Sequence, residues 1–246
     1  MSIEINMRVE SYDVQPNGNL KVSSLLKMLK KAAGDDVNKT QLNYFSLSEL
    51  NIAFVLTKMT LKILHNIKLY DEITIISHPR KTHGASFPRD FIVKRDGVTV
   101  ALARSIWVLL DLNKRTILRP SVIDSVGSLA PSEADEFEIA DVRRIIDDSL
   151  LHRTNVQAID YSMLDMNNHL NNTFYADFIF NSLSIDNRLS DDKGLYLQIN
   201  YKNEARLGDV IELSIGSCKE PGYDICAKNI TSDKVCFTAF VNYERD

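Results

Sequence analysis

The same order of elements, one helix followed by four strands, is predicted twice along this chain of 246 residues, and this repetition most restricts the fold. Apolar residues at helical spacing predict the helices, and alternating or continuous apolar runs predict the strands. The helices are predicted at 20–33 and directly after Asn172, and the strands at 51–64, 72–77, 87–94, 99–110, 195–201, 210–215, 223–228 and 234–243. Helices combined with runs of consecutive strands indicate the α+β class.

A short sequence match supports duplication of one unit. Residues 69–75 (Leu-Tyr-Asp-Glu-Ile-Thr-Ile) align with residues 207–213 (Leu-Gly-Asp-Val-Ile-Glu-Leu), and the two segments start 207 − 69 = 138 positions apart. Each opens a predicted strand after a polar turn, at the same place in its series. We therefore expect a first domain at 1–120, an acidic, mostly polar linker at 121–150 and a second domain at 151–246.

Local signals define the ends of the predicted helices. Ser23 or Ser24 is expected to cap the first helix and Gly34 to end it, because hydroxyl side chains favour helix starts and glycine favours helix ends. Asn172 is expected to cap the second helix, whose apolar side carries Phe174, Tyr175, Phe178, Ile179 and Leu183.

The segment before the second helix carries the chemistry. Asp165, Asn167 and His169 place a carboxylate, an amide and an imidazole just ahead of a helix N-terminus, where unpaired N–H groups favour negative charge. Such groups can polarise a carbonyl and activate water. Taken alone, Asp165, Asn167 and Asn171 are more typical of turn and cap positions than of a catalytic site.

A wider pattern narrows this choice. Asp165-x-Asn167-x-His169-x-Asn171-Asn172-x-x-Tyr175 is followed about 30 residues later by Asn200-Tyr201-Lys202-Asn203-Glu204, and together they resemble the C-terminal half of the acyl-acyl carrier protein (ACP) thioesterases of plants and bacteria. Residues 55–59, 89–91 and 103–108 are similar to segments of the family's first domain, so the resemblance extends from about residue 12 to residue 243. It implies two tandem hotdog domains, each an antiparallel sheet wrapped around a central helix, with the acyl pocket in the first domain.

The resemblance also implies an activity. Members hydrolyse the thioester that joins a fatty acyl chain to the phosphopantetheine arm of ACP, without a metal or an organic cofactor. Position by position, Asp165, Asn167, His169 and Glu204 fall on the catalytic positions of the family. One departure is Ala205, where plant members commonly have a Cys directly after the Glu.

Ala205 removes the thiol that a papain-like mechanism needs. We therefore expect direct attack by water, with Glu204 or Asp165 as the general base. Asn167 would hold the thioester carbonyl or the water, and His169 would orient the carboxylates or donate a hydrogen bond. The three cysteines, Cys218, Cys226 and Cys236, lie elsewhere and are expected to be buried, unreactive thiols.

Two other functions stay open at this point. A hotdog 3-hydroxyacyl dehydratase also pairs a His with a carboxylate, but it releases an enoyl thioester instead of a free acid and a thiol. A non-catalytic acyl-thioester-binding module would bind the ligand and leave it intact.

Charge and hydropathy indicate the surroundings and partners of the protein. The net charge of −4 argues against a nucleic-acid partner. The sequence contains neither a secretory signal nor an apolar run of the ~20 residues that cross a bilayer, so we expect a cytoplasmic protein without stable membrane insertion. A homodimer formed through a sheet edge is left open.

The acidic carrier protein needs a basic docking surface. The sequence offers two sets of basic side chains, Lys27, Lys30 and Lys31 on the first helix and Arg80, Lys81 and Arg89 near a predicted loop. His78 and His83 flank that loop and are expected to be surface histidines. Trp107, Phe91 and Met59 are expected in the core or the acyl pocket.

Overall fold

The computed structural model describes residues 2–124, 126, 127, 129, 131, 137, 139, 141, 146–185, 194–218 and 221–243. The helices in this part of the chain are α1 (Val22–Val37), α2 (Tyr44–Glu49) and α3 (Phe174–Ile185). The strands of the first half are β1 (Ile3–Arg8), β2 (Ile52–Ile63), β3 (Glu72–Pro79), β4 (Ser86–Arg95), β5 (Val98–Asp111) and β6 (Thr116–Leu118). Those of the second half are β7 (His152–Ala158), β8 (Leu195–Tyr201), β9 (Val210–Ser217), β10 (Tyr223–Asn229) and β11 (Lys234–Tyr243). Among the described residues, no helix is both long and apolar enough to cross a membrane.

All the strands form one antiparallel sheet. Their order is β1-β3-β4-β5-β2-β8-β11-β10-β9-β7, and β6 pairs with β5 outside this path. The two halves of the chain meet where β2 pairs with β8, with Thr60 opposite Gln198. The predicted α+β class is confirmed, and each half supplies one sheet segment and one long helix.

Matching hydrogen bonds confirm the duplication. The bounds of β3 and β9 differ by 138 positions at both ends, 72 to 210 and 79 to 217. Val9 donates to the carbonyl of Asp71 at 2.9 Å, and Ile159 donates to the carbonyl of Asp209, 138 positions after Asp71, also at 2.9 Å. The two halves are therefore copies of one plan.

The register of β2 with β8 locates an axis that relates the copies. Lys58 lies opposite Asn200, and Lys62 lies opposite Tyr196. Adding 138 to 58 gives 196, the number of the partner of Lys62, and adding 138 to 62 gives 200, the number of the partner of Lys58. The offset that relates the two halves therefore maps each of these pairs onto the other. An approximate twofold axis, called the pseudo-dyad below, thus passes through the sheet beside Thr60.

The core lies where the two long helices meet the sheet. Helix α1 packs against β1 and β3, α3 packs against β7 and β9, and the two helices contact each other. Leu25 and Leu29 of α1 and Phe178 and Ile179 of α3 are almost fully buried in one apolar cluster that spans both halves. Burial of each such side chain contributes roughly 1.5–3 kcal/mol, so the core holds the two copies together.

The observed ends of helix α1 differ from the predicted ones. It begins at Val22 without a side-chain cap, and Ser23 and Ser24 are buried. It also continues through Gly34 to Val37, so the predicted stop at Gly34 is wrong. The carboxylate of Asp36 lies 2.9 Å from the Arg89 guanidinium, and both side chains are 6% exposed. This buried ion pair ties the last turn to β4 and favours the helix beyond the glycine.

Strand β2 does not keep a simple alternation. Its pairing with β5 shifts between Leu56 and Lys58, which is the mark of a β-bulge. As a result Leu56 is buried before the bulge, whereas Met59 and Leu61 are buried after it. The prediction of one strand was right, but the buried face changes within it.

Candidate active site

The turn at residues 165–169 is shaped by Asp165. The Asp165 N–H donates to the carbonyl of His169 at 2.7 Å, and Asn168 takes the left-handed conformation with φ 59°. The Asp165 carboxylate oxygen Oδ1 accepts the backbone N–H groups of Asn167 at 2.8 Å and of His169 at 3.3 Å. Asp165 therefore fixes the turn that presents the other two side chains.

The structure brings Glu204 beside this turn. The Leu170 N–H donates to the carbonyl of Ala205 at 2.8 Å, which joins the turn to the segment that follows β8. The imidazole Nε2 of His169 lies 3.4 Å from Glu204 Oε2, and the two side chains are 27% and 29% exposed. Both groups are thus half-buried and in contact with each other, and water can reach them.

Two arginines determine the charge of Glu204. Its Oε1 accepts hydrogen bonds from Arg206 Nη2 at 2.8 Å and lies 2.9 Å from Arg115 Nη2. Burial alone raises the pKa of Glu204, but the hydrogen bonds from Arg115 and Arg206 and the neighbouring His169 outweigh it and hold that pKa below its ordinary value. Glu204 is consequently an anion at neutral pH.

Asn167 faces a large cavity. The cavity has a volume of about 460 Å³, and its wall includes residues of α1, α2, β2, β4 and β5 of the first half. Its apolar lining includes Leu42, Leu47, Ile52, Phe54, Phe87, Trp107 and Ile123. Asn167 is the candidate catalytic residue that lines it, and the Tyr44 hydroxyl donates to Asn167 Oδ1 at 3.5 Å. A polar turn of the second half therefore meets an apolar cavity of the first half, which suits a ligand with a reactive polar group and an apolar chain.

The other predictions about pocket and core residues are confirmed. Trp107 lines the cavity, whereas Phe91 and Met59 are buried in the core.

The side-chain contact before α3 comes from Asn171, whose Oδ1 accepts the Thr173 N–H at 3.2 Å. The predicted cap at Asn172 is thus one residue away from the observed contact.

In the second predicted basic docking set, Arg80 and Arg89 are buried, whereas Lys81 is exposed as expected. Arg80 is 6% exposed and bonded to Asp90, and Arg89 is equally buried and paired with Asp36. These guanidinium groups are enclosed because carboxylates balance their charge. His78 is also buried, at 6% exposed, whereas His83 is exposed as expected.

The three cysteines have no disulfide partner. Cys236 is buried, and burial is the main cause that raises the pKa of its thiol to about 11. Cys226 is half-buried, and burial raises its pKa too. Neither thiol is an activated nucleophile. The expectation of buried thiols holds for Cys236, whereas Cys218 and Cys226 are both half-buried.

Sequence reasoning missed the groups that surround the candidate residues. Arg206 could have been found from its position two residues after Glu204, but Arg115 lies in the turn between β5 and β6 and gives no sequence signal. Tyr44 follows Asn43, whose side chain caps α2 through the N–H groups of Phe45 and Ser46. Among the described residues, no three His, Cys, Asp or Glu side chains are grouped to hold a metal.

Two protein-family models match the chain. Residues 2–125 match the family model described as the acyl-ACP thioesterase N-terminal domain, and residues 145–241 match the acyl-ACP thioesterase C-terminal domain. No curated protein matches the chain.

Solved structures show the same fold. An acyl-ACP thioesterase from Bacteroides thetaiotaomicron superposes with a TM-score of 0.85 at 20% identity, over 99% of this chain and 98% of that chain. A 12:0-ACP thioesterase from Umbellularia californica superposes with a TM-score of 0.81 at 13% identity, over 100% and 98% of the two chains. The expected pair of tandem hotdog domains is confirmed.

Proposed function

The chain belongs to the acyl-ACP thioesterase family and hydrolyses acyl thioesters, and we propose that it does so with a water molecule activated at the His169–Glu204 pair. The observation that carries this proposal is the contact of His169 Nε2 with Glu204 Oε2 at 3.4 Å, on the turn that also presents Asn167 to the apolar cavity. The dehydratase and the binding module are set aside by the family assignment.

The arginines suggest which group accepts the proton. A carboxylate whose pKa is held low is a weak base, and Glu204 bonds to both Arg115 and Arg206. His169 is the neighbouring group that can take the proton from water, while the Glu204 anion stabilises the imidazolium that forms. This is the division of roles found in other His–carboxylate pairs.

The reaction then proceeds in two steps. Water attacks the thioester carbonyl carbon as His169 takes its proton, and the tetrahedral oxyanion accepts a hydrogen bond from Asn167 Nδ2, since Asn167 Oδ1 faces Tyr44. The carbon–sulfur bond then breaks, and the departing thiolate takes the proton from His169. The products are a free fatty acid and the thiol of the pantetheine arm. Asp165 positions the turn through its two backbone hydrogen bonds.

The substrate in this proposal is a fatty acyl chain carried by ACP. Its apolar chain would lie in the 460 Å³ cavity. Lys27, Lys30 and Lys31 on α1 are exposed, and Lys30 lines the same cavity as Asn167. This lysine surface is the docking site that the structure supports for an acidic carrier protein.

The first experiment measures thiol release from a panel of acyl-ACP thioesters of different chain lengths. His169→Ala and Glu204→Ala should each lower kcat/KM by at least about 10²-fold. Glu212→Ala is the matched control, because Glu212 is also 29% exposed and ion-paired, to Arg153, but lies on β9. Turnover within a few fold of normal in both His169→Ala and Glu204→Ala would rule out the proposed pair.

Docking is tested separately. Charge reversal by Lys27→Glu and Lys31→Glu should raise KM for acyl-ACP and leave hydrolysis of a small acyl thioester unchanged. Lys68→Glu serves as a control for an exposed lysine away from α1. Equal changes with both substrates would remove α1 as the docking surface.

A further inference from the structure

The first half contains a copy of the candidate catalytic turn. The Gln15 N–H donates to the carbonyl of Asn19 at 2.9 Å, as the Asp165 N–H donates to that of His169 at 2.7 Å. Gly18 has φ 82°, and Asn168, 150 positions later, has φ 59°. The turn at residues 15–19 therefore repeats the backbone of the turn at residues 165–169.

The segment that carries Glu204 is repeated as well. The Leu20 N–H donates to the carbonyl of Ile67 at 2.7 Å, as the Leu170 N–H donates to that of Ala205 at 2.8 Å. Asn66 precedes Ile67 as Glu204 precedes Ala205, and 66 and 204 differ by the offset of 138 that relates the two halves. The pseudo-dyad thus places Asn66 where the other half has Glu204.

All four functional positions carry amides in the first half. The residues Gln15, Asn17, Asn19 and Asn66 correspond to Asp165, Asn167, His169 and Glu204, respectively. Each side chain is about as exposed as its counterpart. Asn17 and Asn167 are exposed, and the other residues of the two sets are half-buried. The copy has hydrogen-bonding side chains of similar size, but it lacks the carboxylates and the imidazole that activate water.

A cavity accompanies this copy. It has a volume of about 290 Å³ and is lined by Gln15, Asn19 and Asn66. Leu20, Ile67 and Phe180 provide part of its apolar wall, and Ser184 of α3 also lines it. Helix α3 stands here in the place that α1 takes at the candidate active site, where Gly34, 150 positions before Ser184, lines the large cavity. The cavity is therefore the pseudo-dyad mate of the catalytic region.

We propose that this amide-lined cavity is a second binding site for acyl-pantetheine thioesters, which holds the ligand without hydrolysing it. Amide side chains can donate to the thioester carbonyl and exchange hydrogen bonds with the two amides of the pantetheine arm. The apolar wall accepts the first carbons of the acyl chain. The ligand class rests on the proposed function, whereas the site itself rests on the internal symmetry.

The test counts bound molecules. The probe is hexanoyl-pantetheine in which an amide replaces the thioester, so that hydrolysis does not remove it. Isothermal titration of the full chain should show two equivalents. Ser184→Trp, which places a large side chain in the lining of the second cavity, should show one, and so should Gly34→Trp, its pseudo-dyad mate in the large cavity. A Cβ at Gly34 meets no atom within 4 Å, so this helical position accepts a side chain.

A milder variant guards against damage by the large tryptophan. Asn19→Leu should weaken the second binding event at least tenfold and leave the first unchanged. One equivalent in the unaltered chain, or two equivalents in Ser184→Trp, overturns the proposal. If the proposed ligand class were wrong, the unaltered chain would bind none, so the two failures differ.

The same titration distinguishes the source of the ligand. Two equivalents of both the pantetheine probe and its coenzyme A form support a site for free thioesters. Two equivalents of the pantetheine probe but one of the coenzyme A form support a site for the arm of a carrier protein. Both outcomes agree with a second binding site.

Discussion

The ion pairs around Asp90 make the sharpest prediction about stability. Its side chain is completely buried, and it accepts hydrogen bonds from Arg80 Nε at 2.8 Å and from Arg104 Nε and Nη2 at 2.6 and 2.8 Å. Arg80 is 6% exposed and Arg104 is 30% exposed. Asp90→Ala would remove the carboxylate that both guanidinium groups contact.

The expected loss follows from that burial. Removal of one member of a buried ion pair costs about 3–5 kcal/mol, because the enclosed charge that remains loses a counter-ion that water does not replace. We expect a value near the middle, about 4 kcal/mol, since Arg104 can still reach solvent. With a urea dependence of about 3 kcal/mol per molar, the unfolding midpoint should fall by roughly 1.3 M.

Urea unfolding followed by the fluorescence of Trp107, the single tryptophan of the chain, measures this loss. Asp35→Ala is the matched control, because Asp35 forms an exposed pair with Lys31, at 38% and 61% exposed. Such a pair contributes at most about 1 kcal/mol. Addition of Arg80→Met to Asp90→Ala should recover part of the loss. A midpoint for Asp90→Ala as high as that for Asp35→Ala would refute the reasoning.

Three further outcomes follow from the same structure. Iodoacetamide at pH 8 should leave Cys236 unmodified in the folded protein, because burial raises its thiol pKa to about 11, and peptide mass spectrometry checks this. Arg115→Ala should raise the pKa of Glu204, so the carboxylate is lost at a higher pH and the acid limb of the kcat/KM profile should move to higher pH. Phe178→Ala should cost about 3–5 kcal/mol in urea unfolding, because Phe178 is 2% exposed in the shared core.

Each of these outcomes has a clear contrary result. Fast alkylation of Cys236 with loss of hydrolysis would mean that its thiol takes part in the mechanism. An unmoved acid limb in Arg115→Ala would mean that Glu204 does not control it. A cost below about 1 kcal/mol for Phe178→Ala would mean that the helices do not share a cohesive core.

Strands with a strong apolar pattern were predicted well, whereas the polar strands at the edges of the sheet were not. The bounds predicted for β8 and β11 agree with the structure, since their apolar residues form long runs. β1 and β7 were missed, although they begin and end the sheet. Six of the seven side chains of β7 are polar or alanine, because an edge strand with one solvated face needs few apolar residues. Edge strands are therefore set by pairing partners that lie far away in sequence.

The site shows the same division. The order of Asp165, Asn167 and His169 along one turn is visible in the sequence, because a turn is a local structure. The contacts of Glu204 with Arg115, and of Asn167 with Tyr44, join segments 89 and 123 positions apart. Such contacts depend on how the two halves pack, so no pattern along the chain reveals them.

The pseudo-dyad explains why the active site needs both halves. The turn of the second half faces α1 and α2 of the first, and the turn of the first half faces α3 of the second. Each copy therefore completes a cavity of the other copy, as two separate chains would do in a symmetric dimer. Once both copies lie on one chain, the two sites can diverge independently. The sequence shows this divergence, with an acid, an amide, an imidazole and a second acid in one turn region and four amides in its mate. Separate expression of either half should consequently give no hydrolysis, and mixing the halves should restore it if the β2–β8 pairing re-forms.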